Sequence, residues 1–376
     1  MKLIIEPADG VAPLLAAIKG AKRSIEIAIF RFDRTDVENA LKAAAGRGVK
    51  VTVLIAFANR GGEARLRKLE LRCLAAGIIV ARTSNDLIRY HDKFILIDRR
   101  VLHVLSFNFT HLDIDHSRGF AVVTTHANWV REAAKLFRAD CTRSKYMPKT
   151  ETFVVSPSNA RKALDTFLKG AKTQLLIYDP KISDKAMLHT LQERVKAGVE
   201  VKVIGSAAQG AHLDVQKLAG QRLHTRTIIR DRRQAFVGSQ SLRAQELDSR
   251  RELGLIIKDT KAVKALIATF ESDWVAPKVK SAPAEQKASA NAPAAASGKE
   301  AAMSPKELDP LAASVKKAVK KAVAASGEDM LADNDVKHEM KKVVKQAVKE
   351  AVKEAVQDAQ DVKDVKDAKE AKAAEA

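Results

Sequence analysis

The sequence repeats its own order of elements, and this duplication restricts the fold more than any other feature of the chain. Residues 18–30, IKGAKRSIEIAIF, return as LKGAKTQLLIY at residues 168–178, and residues 44–55, AAGRGVKVTVLI, return as RVKAGVEVKVIG at residues 194–205. One such match occurs between unrelated α/β proteins, but several matches in the same order indicate an internal repeat. We therefore expect two similar halves.

Within the first half, apolar strands alternate with helices. The pattern predicts a strand over Ser24–Phe32, a helix over Thr35–Ala45 that ends at a glycine-rich turn, and a second strand over Val49–Phe57. A further helix is predicted over Ala64–Ala76. Strands that alternate with helices are typical of an α/β sandwich, so the predicted fold class is α/β with duplicated repeats.

The chemistry of the first half is concentrated in one stretch, YHDKFILIDRRVLHVLSFNFT. It places His91, Lys93 and Asp98 in the spacing H-x-K-x4-D and then supplies Ser106 and Asn108. On a strand, the side chains of His91 and Lys93 project from the same face. The ammonium can neutralise a phosphate oxygen, the serine and asparagine can donate hydrogen bonds, and the imidazole can act as a nucleophile or an acid. This stretch predicts half of a phosphate site.

The second half supplies another histidine in the same spacing. His224, Arg226, Asp231, Ser239 and Ser241 reproduce the first motif at a constant offset of 133 residues. A spacing that is kept over some thirty residues indicates duplication of the whole motif region. Near the start of the repeat, the matching segments are about 150 residues apart, whereas the two motifs are 133 residues apart. This difference predicts a shorter segment before the second motif.

The net charge favours a partner that carries phosphate. The formal charge is +20; residues 1–280 hold 49 Lys and Arg against 29 Asp and Glu, whereas residues 281–376 hold 17 of each. A basic globular part suits either nucleic acid or an anionic membrane surface. Aromatic residues are 5% of the chain, and no aromatic and basic stripe of the kind that stacks bases is evident, which favours lipid.

Cysteine content and hydropathy predict a cytoplasmic protein. Cys73 and Cys141 form no CxxC motif, which indicates reduced thiols and no zinc site. The first residues, MKLIIEPADG, lack the features of a signal peptide, and no apolar run is long enough to span a bilayer. The loop HLDIDHS after the first motif, with His111, Asp113, Asp115 and His116, is interpreted as a solvated polar loop rather than a metal site.

The C-terminal quarter has a different character. Residues 278–310, rich in Ala, Ser and Pro, are predicted to be a disordered linker, and residues 311–376 a helical tail of Ala, Val, Lys and Glu. The preceding repeats are predicted at residues 1–148 and 149–277. We expect the tail to be solvated, with self-association as a coiled coil as an open alternative.

Two H-x-K/R-x4-D motifs in tandem, each followed at a fixed distance by a serine, resemble the phospholipase D superfamily of phosphodiesterases. The resemblance covers residues 1–274. It implies two α/β sandwich halves about a pseudo-two-fold axis, one active site between them, and no cofactor or metal. It also implies that one histidine forms a phosphohistidine while the other protonates the leaving alcohol and then activates water or an acceptor alcohol.

Carried onto this chain, the resemblance assigns a role to each motif residue. His91 is the expected nucleophile and His224 the expected acid and base, although the reverse assignment stays open. Lys93 and Arg226 are expected to act on the phosphate. The residues expected to bind phosphate are Ser106, Asn108, Ser239 and Ser241, and those expected to orient or support the motifs are Asp98, Asp231 and Glu252.

The chain departs from the family pattern at several positions. Arg226 replaces a lysine, Ser241 replaces an asparagine and Leu105 replaces a glycine. The family has an acidic residue that orients a histidine; Glu252 occupies that place in the second copy, but Gly119 does so in the first, so one orienting carboxylate is predicted to be missing.

The function predicted from the sequence is a phospholipase D-type hydrolase of phospholipids at an anionic membrane surface, bound peripherally. Three alternatives stay open at this point. They are a phosphatidyltransferase of the cardiolipin synthase type, a phospholipase D-like nuclease, and a degenerate protein that only binds nucleic acid or membrane.

Overall fold

A computed structural model describes residues 1–57 and 63–275. The predicted linker at residues 278–310 and the predicted helical tail at residues 311–376 lie outside the described residues. The boundary between the two repeats at residue 148 stays a prediction. None of the helices in the described ranges has the length and the apolar character needed to cross a bilayer.

The described chain alternates strands and helices as the sequence predicts. The strands are β1 Lys2–Glu6, β2 Ser24–Ile29, β3 Lys50–Ile55, β4 Ile79–Arg82, β5 Arg89–Tyr90, β6 Phe94–Ile97, β7 Val101–Leu105, β8 Ser117–Thr124, β9 Phe153–Ser156, β10 Gln174–Ile182, β11 Glu200–Ala207, β12 Asp214–Gln216, β13 Arg222–Leu223, β14 Arg226–Arg230, β15 Gln234–Gly238 and β16 Arg250–Ile257. The helices are α1 Ala12–Gly20, α2 Thr35–Gly46, α3 Glu63–Ala75, α4 His111–Asp115, α5 Ala127–Cys141, α6 Ala160–Lys169, α7 Lys185–Lys196, α8 Ala244–Asp248 and α9 Thr260–Val275.

Two sheets with the same strand order confirm the predicted duplicated α/β fold. The first sheet runs β1-β8-β7-β6-β2-β3-β4, and the second runs β9-β16-β15-β14-β10-β11-β12. In each sheet the motif strand, β6 or β14, lies antiparallel between a hairpin partner and a parallel pair of strands. The repeated words of the sequence therefore occupy equivalent strands.

The different offsets along the repeat arise between the third and fourth strands of each sheet. In the first repeat the chain from β3 to β4 includes α3. In the second repeat residues 208–213 lead directly from β11 to β12 without a helix. The predicted shorter segment before the second motif is thus confirmed.

Each sheet includes one short strand from the other repeat, and the sequence did not predict this exchange. β5, just before His91, pairs in parallel with β16 of the second repeat, while β13, just before His224, pairs in parallel with β8 of the first. Both are two-residue strands, too short to produce a periodic pattern in the sequence. The exchange carries each histidine to the opposite repeat.

The core also joins the two repeats. One buried apolar cluster contains residues from the strands of both sheets together with α5 and α9, including Phe94, Phe120, Phe137, Tyr178 and Phe270. The Tyr178 ring lies between two other aromatic rings, with its centroid 5.5 Å from that of Phe120 and 5.0 Å from that of Phe270. Burial of large side chains of this kind is the main stabilising contribution to such a fold.

Candidate active site

The aspartate of each motif anchors the end of the motif strand. Asp98 accepts hydrogen bonds from the backbone N–H groups of Lys22, Arg23 and Ser24 at 2.6–3.1 Å. Asp231 accepts the equivalent three from residues 172–174 at 2.7–3.1 Å. These contacts tie the turn after the motif strand to the start of the neighbouring strand, β2 or β10, away from the histidines.

The exchanged strands place both histidines by equivalent backbone contacts. The His91 N–H donates to the Arg251 carbonyl at 2.8 Å, and the His224 N–H donates to the Arg118 carbonyl at 3.1 Å. Both imidazoles are buried. The next residue along β16 is Glu252, whereas the next residue along β8 is Gly119, so the two contacts lead to different surroundings.

Two equivalent ion pairs hold these positions. The Arg118 guanidinium binds the Asp273 carboxylate at 2.8 and 2.9 Å, and the Arg251 guanidinium lies 3.0 Å from the buried Asp140 carboxylate. The tyrosine hydroxyl of Tyr178 also donates to Asp273 at 2.6 Å. Each pair joins a strand that supports a histidine to the last helix of the other repeat, which fixes the backbone beside the imidazole.

His91 is held by a buried carboxylate. Its Nδ1 lies 2.9 and 3.0 Å from the two carboxylate oxygens of Glu252, which has no solvent exposure. The Phe30 ring packs edge-on against the imidazole, with 5.0 Å between centroids. The predicted strand Ser24–Phe32 ends at Ile29 because the chain leaves the sheet here; Phe30 covers His91 and the Arg31 N–H donates to Asn108. With Nδ1 engaged, Nε2 is the nitrogen available for chemistry.

Two cations accompany the two histidines. Lys93 is fully buried and its ammonium donates to the His91 carbonyl, while the Arg226 guanidinium donates to the His224 carbonyl at 2.7 Å. Burial lowers the pKa of Lys93 to about 8, against the attraction of Glu252. Lys93 is therefore protonated below about pH 8 and neutral above it.

The charges of Lys93 and Arg226 act on both imidazoles. Burial lowers the pKa of His91 well below its usual value, and the charges of Lys93 and Arg226 lower it further. The pKa of His224 is lowered by burial and by the same two cations, while Asp113 opposes this. Because each cation lowers the pKa of both histidines, these four groups lie close enough to interact, and both imidazoles are neutral at pH 7. Burial likewise raises the pKa of Glu252, although Lys93 opposes this.

The hydroxyl and amide groups expected to bind phosphate are buried and have protein partners. The Ser106 hydroxyl accepts from the Phe120 N–H at 2.9 Å, and the Ser239 hydroxyl accepts from the Leu253 N–H at 3.2 Å. The Ser241 hydroxyl accepts from the Arg226 Nε at 3.3 Å. These serines support the strands and the cation of the site, and a direct contact with phosphate stays a prediction.

The Asn108 amide is engaged at both ends. Its oxygen accepts from the Arg31 N–H at 3.2 Å, and its NH₂ group donates to Asp113 at 2.7 Å. The side chain therefore links the loop after β2 to α4. Its contact with phosphate also stays a prediction.

The interpretation of the loop after the first motif was wrong for Asp113. The segment forms α4, in which His111 and Asp115 are exposed and pair at 3.0 Å, but Asp113 is buried. An Asp113 oxygen lies 3.5 Å from His224 Nδ1. Asp113 is thus a buried carboxylate beside His224, whereas position 119 has no side chain. The constant offset held a signal for it, since position 113 aligns with a second acid, Glu246.

In the described ranges, 1–57 and 63–275, no three His, Cys, Asp or Glu side chains lie close enough together to hold a metal ion. The polar groups around His91 and His224 are imidazoles, cations and carboxylates.

A family model described as "Cardiolipin synthase, PLD-like domain" matches residues 14–141 and 164–274, which is most of both repeats. The chain belongs to this phospholipase D-like family. The membership agrees with the tandem motifs and the duplicated fold of this phospholipase D-like protein, and it makes the chain a member of a superfamily of phosphodiesterases and phosphatidyltransferases.

Known proteins resemble this phospholipase D-like protein in part of their length. A mitochondrial cardiolipin hydrolase of Mus musculus is 31% identical over 126 residues, which are 33% of this chain and 54% of the relative. The chain thus spans about half the length of that relative. A polyphosphate kinase structure from Porphyromonas gingivalis has a TM-score of 0.60 at 21% identity, over 73% of this chain and 50% of its own. A phosphatidylserine synthase structure from Haemophilus influenzae has a TM-score of 0.56 at 10% identity, over 73% and 85%. The two structures share the fold.

Proposed function

We propose that this protein cleaves the phosphodiester bond of a phospholipid, or transfers its phosphatidyl group, through a phosphohistidine on His91. The observation that supports this most is the shared site, in which two buried neutral imidazoles each have a carboxylate near Nδ1 and lie beside two cations. This arrangement suits phosphoryl chemistry because the cations can balance the charge of the phosphate.

In the first step the lone pair on His91 Nε2 forms a bond to phosphorus. The bond from phosphorus to the leaving oxygen breaks, and a proton from His224 moves to that oxygen, which leaves as an alcohol. Lys93 and Arg226 stabilise the negative charge on the non-bridging oxygens.

In the second step His224, now neutral, takes a proton from water or from an acceptor alcohol. The resulting oxygen forms a bond to phosphorus, and the bond between phosphorus and His91 breaks. Water gives hydrolysis, whereas an alcohol gives transfer of the phosphatidyl group. Both histidines return to their starting states.

The contacts favour His91 over His224 as the nucleophile. The Glu252 carboxylate holds His91 Nδ1 at 2.9 Å, while Asp113 lies 3.5 Å from His224 Nδ1. A carboxylate that accepts the Nδ1 proton fixes the tautomer whose lone pair is on Nε2 and stabilises the positive charge that the ring gains on attack. The more firmly held imidazole is therefore the better nucleophile.

The acid needs a proton that the free protein does not hold at pH 7. Burial and the two cations lower the pKa of His224 in the free protein. A bound phosphodiester brings a negative charge next to these cations, which offsets their effect and raises the pKa of His224. Substrate binding thus favours the protonated form of His224, which is the form that can act as an acid.

Lipid is the favoured substrate class. The family description names cardiolipin synthase, and the relative that is 31% identical is named a cardiolipin hydrolase. The basic globular part suits an anionic membrane surface, at which a cytoplasmic protein would meet the lipid peripherally. The same charge supports the second candidate, a nuclease, and a third, a protein that binds DNA or membrane without turnover.

The test is turnover of labelled substrates in EDTA by the full chain. A panel of phospholipids, including cardiolipin, is compared with single- and double-stranded DNA. We expect lipid cleavage that persists in EDTA, is lost in His91→Ala and survives in His189→Ala, where the histidine is exposed on α7.

Three results would contradict the proposal. Cleavage of DNA in place of lipid would favour the nuclease. No turnover of any substrate would reject the enzyme, and salt-dependent DNA binding that is unaffected by His91→Ala would then support the binding protein.

A further inference from the structure

The two repeats differ in the residues that lie beside their histidines. Glu252 in β16 supports His91, and the equivalent position in β8 is Gly119. A Cβ atom at Gly119 would lie 2.8 Å from Cδ1 of Phe107, closer than such atoms approach. The second repeat has Gln240 at the position of Phe107. The Phe107 ring therefore occupies the space into which a side chain at position 119 would extend.

His224 consequently lacks the partner that the symmetry of the fold would give it. Its Nδ1 is buried and forms no hydrogen bond within the described ranges. A buried polar atom without a partner is destabilising. The nearby acceptor is an oxygen of Asp113, 3.5 Å away in α4 of the opposite repeat.

Asp113 is held in place by several donors. One oxygen accepts from the N–H of Asn108 at 2.9 Å and from its amide NH₂ at 2.7 Å. The other accepts from the Arg222 guanidinium at 2.6 Å. Burial alone would raise the pKa of Asp113, but His224, Arg222 and the Asn108 N–H outweigh it and lower the pKa to about 2. The group is thus a fixed carboxylate at any assay pH.

The equivalent acid of the second repeat has different neighbours. Glu246 accepts from the Ser241 N–H at 2.7 Å, as Asp113 does from the Asn108 N–H, so both acids support their loops. Its other oxygen lies 3.1 Å from Arg250 and 3.4 Å from Arg243. Both acids pair with an arginine, but Asp113 also lies 3.5 Å from a histidine, and this difference matches the absence of a side chain at position 119.

We propose that Asp113 is the positioning residue for His224, in place of the carboxylate that the first repeat lacks. The inference rests on the proposed function in assigning His224 as the acid and base. The Asp113 carboxylate selects the tautomer with the proton on Nδ1, so that Nε2 faces the leaving oxygen. Phe107 closes the position that such a carboxylate would otherwise occupy.

The contact is tested by nitrogen NMR of the full chain with isotope-labelled histidine and without substrate. The His224 signals are assigned by their loss in His224→Gln. In the wild type we expect neutral His224 to carry its proton on Nδ1. In Asp113→Asn we expect the population to move toward the Nε2–H tautomer, while the His91 signals stay unchanged.

Two control variants separate the contact from its surroundings. Asp115→Asn changes an exposed acid on the same short helix, and Arg222→Gln removes the ion pair of Asp113 without touching the oxygen that faces His224. Both are expected to keep the wild-type tautomer. A shift in Arg222→Gln as large as that in Asp113→Asn would overturn the inference, because the effect would then come from the ion pair.

Kinetics give the second readout. General acid–base catalysis contributes roughly 10²- to 10⁴-fold, and loss of orientation alone is expected to cost part of this, about 10- to 100-fold in kcat with KM little changed. A wild-type kcat and tautomer in folded Asp113→Asn would reject the inference while the proposed function stands. If Asp113→Asn does not fold, a wild-type His224 that carries its proton on Nε2 rejects it equally. A wild type without turnover would reject the proposed function, and NMR would still decide the contact.

Discussion

Replacement of Glu252 by glutamine tests how the site activates His91. The variant keeps the size of the side chain and one acceptor oxygen, but it removes the charge that lies 2.9 Å from Nδ1. Glutamine can also donate its NH₂ group to the imidazole, which then carries its own proton on Nε2 and loses the lone pair needed for attack. Both effects act on the chemical step.

The size of the effect follows from the role of the carboxylate. A group that fixes the tautomer and stabilises the ring cation contributes on the order of 10²- to 10⁴-fold, or about 3–5 kcal/mol of the barrier. We expect a loss of this size in kcat. A second effect follows from Lys93, because the charge of Glu252 raises the pKa of that lysine. Deprotonation of Lys93 is expected to raise KM. Removal of the Glu252 charge should therefore move this rise in KM to below about pH 8.

The assay is steady-state turnover of the best phospholipid between pH 6 and 9.5, with the formation of the covalent intermediate followed by rapid quench. A thermal melt confirms that Glu252→Gln is folded. Glu132→Gln, which changes a buried carboxylate of α5 that binds Lys135 and Tyr146 outside the shared site, serves as the matched control. A folded Glu252→Gln variant with the wild-type kcat and the wild-type pH profile would show that Glu252 does not activate His91.

Two further predictions concern Lys93 and the motif aspartates. Because burial lowers the pKa of Lys93 to about 8, KM is expected to rise as pH increases through 8, and Lys93→Arg, which stays charged, should remove this rise; an unchanged profile in Lys93→Arg would contradict the assignment. Partial burial would raise the pKa of Asp98, but three backbone N–H donors outweigh it and the pKa is lowered. The ionised carboxylate therefore stabilises the fold at pH values above the ordinary pKa of aspartate, and this stabilisation is lost as pH falls below that value. Asp98→Asn and Asp231→Asn should each cost about 1–2 kcal/mol in urea unfolding at pH 7 and little at pH 2, and a pH-independent loss would argue against the anchor.

The sequence predicted the fold through its repeats. The 133-residue offset aligns His91 with His224 and Lys93 with Arg226, and in the structure each of these two cations lowers the pKa of both histidines. Local order was readable because each half has the apolar periods of strands and helices. The exchanged strands β5 and β13 were not, since their two residues pair with a distant part of the chain.

The support of His224 was missed because it depends on tertiary contacts. Asp113 is one of several polar residues in a short segment, and only the folded chain turns it toward the imidazole while His111 and Asp115 stay exposed. Similarly, Asn108 was identified from its place in the motif, but its hydrogen bonds to Arg31 and Asp113 follow from neighbouring elements. Sequence spacing gives the residue type, and packing gives its partner.

Trapping the covalent intermediate would show directly which histidine attacks phosphorus. A nitrophenyl phosphodiester has a leaving group that needs no protonation, so His224→Asn should still form the intermediate but lack the base to hydrolyse it. After a quench at alkaline pH, peptide mapping by mass spectrometry locates the modified residue. We predict a phosphohistidine at Nε2 of His91. A modified residue 224 in the wild type, or turnover without any phosphohistidine, would contradict it.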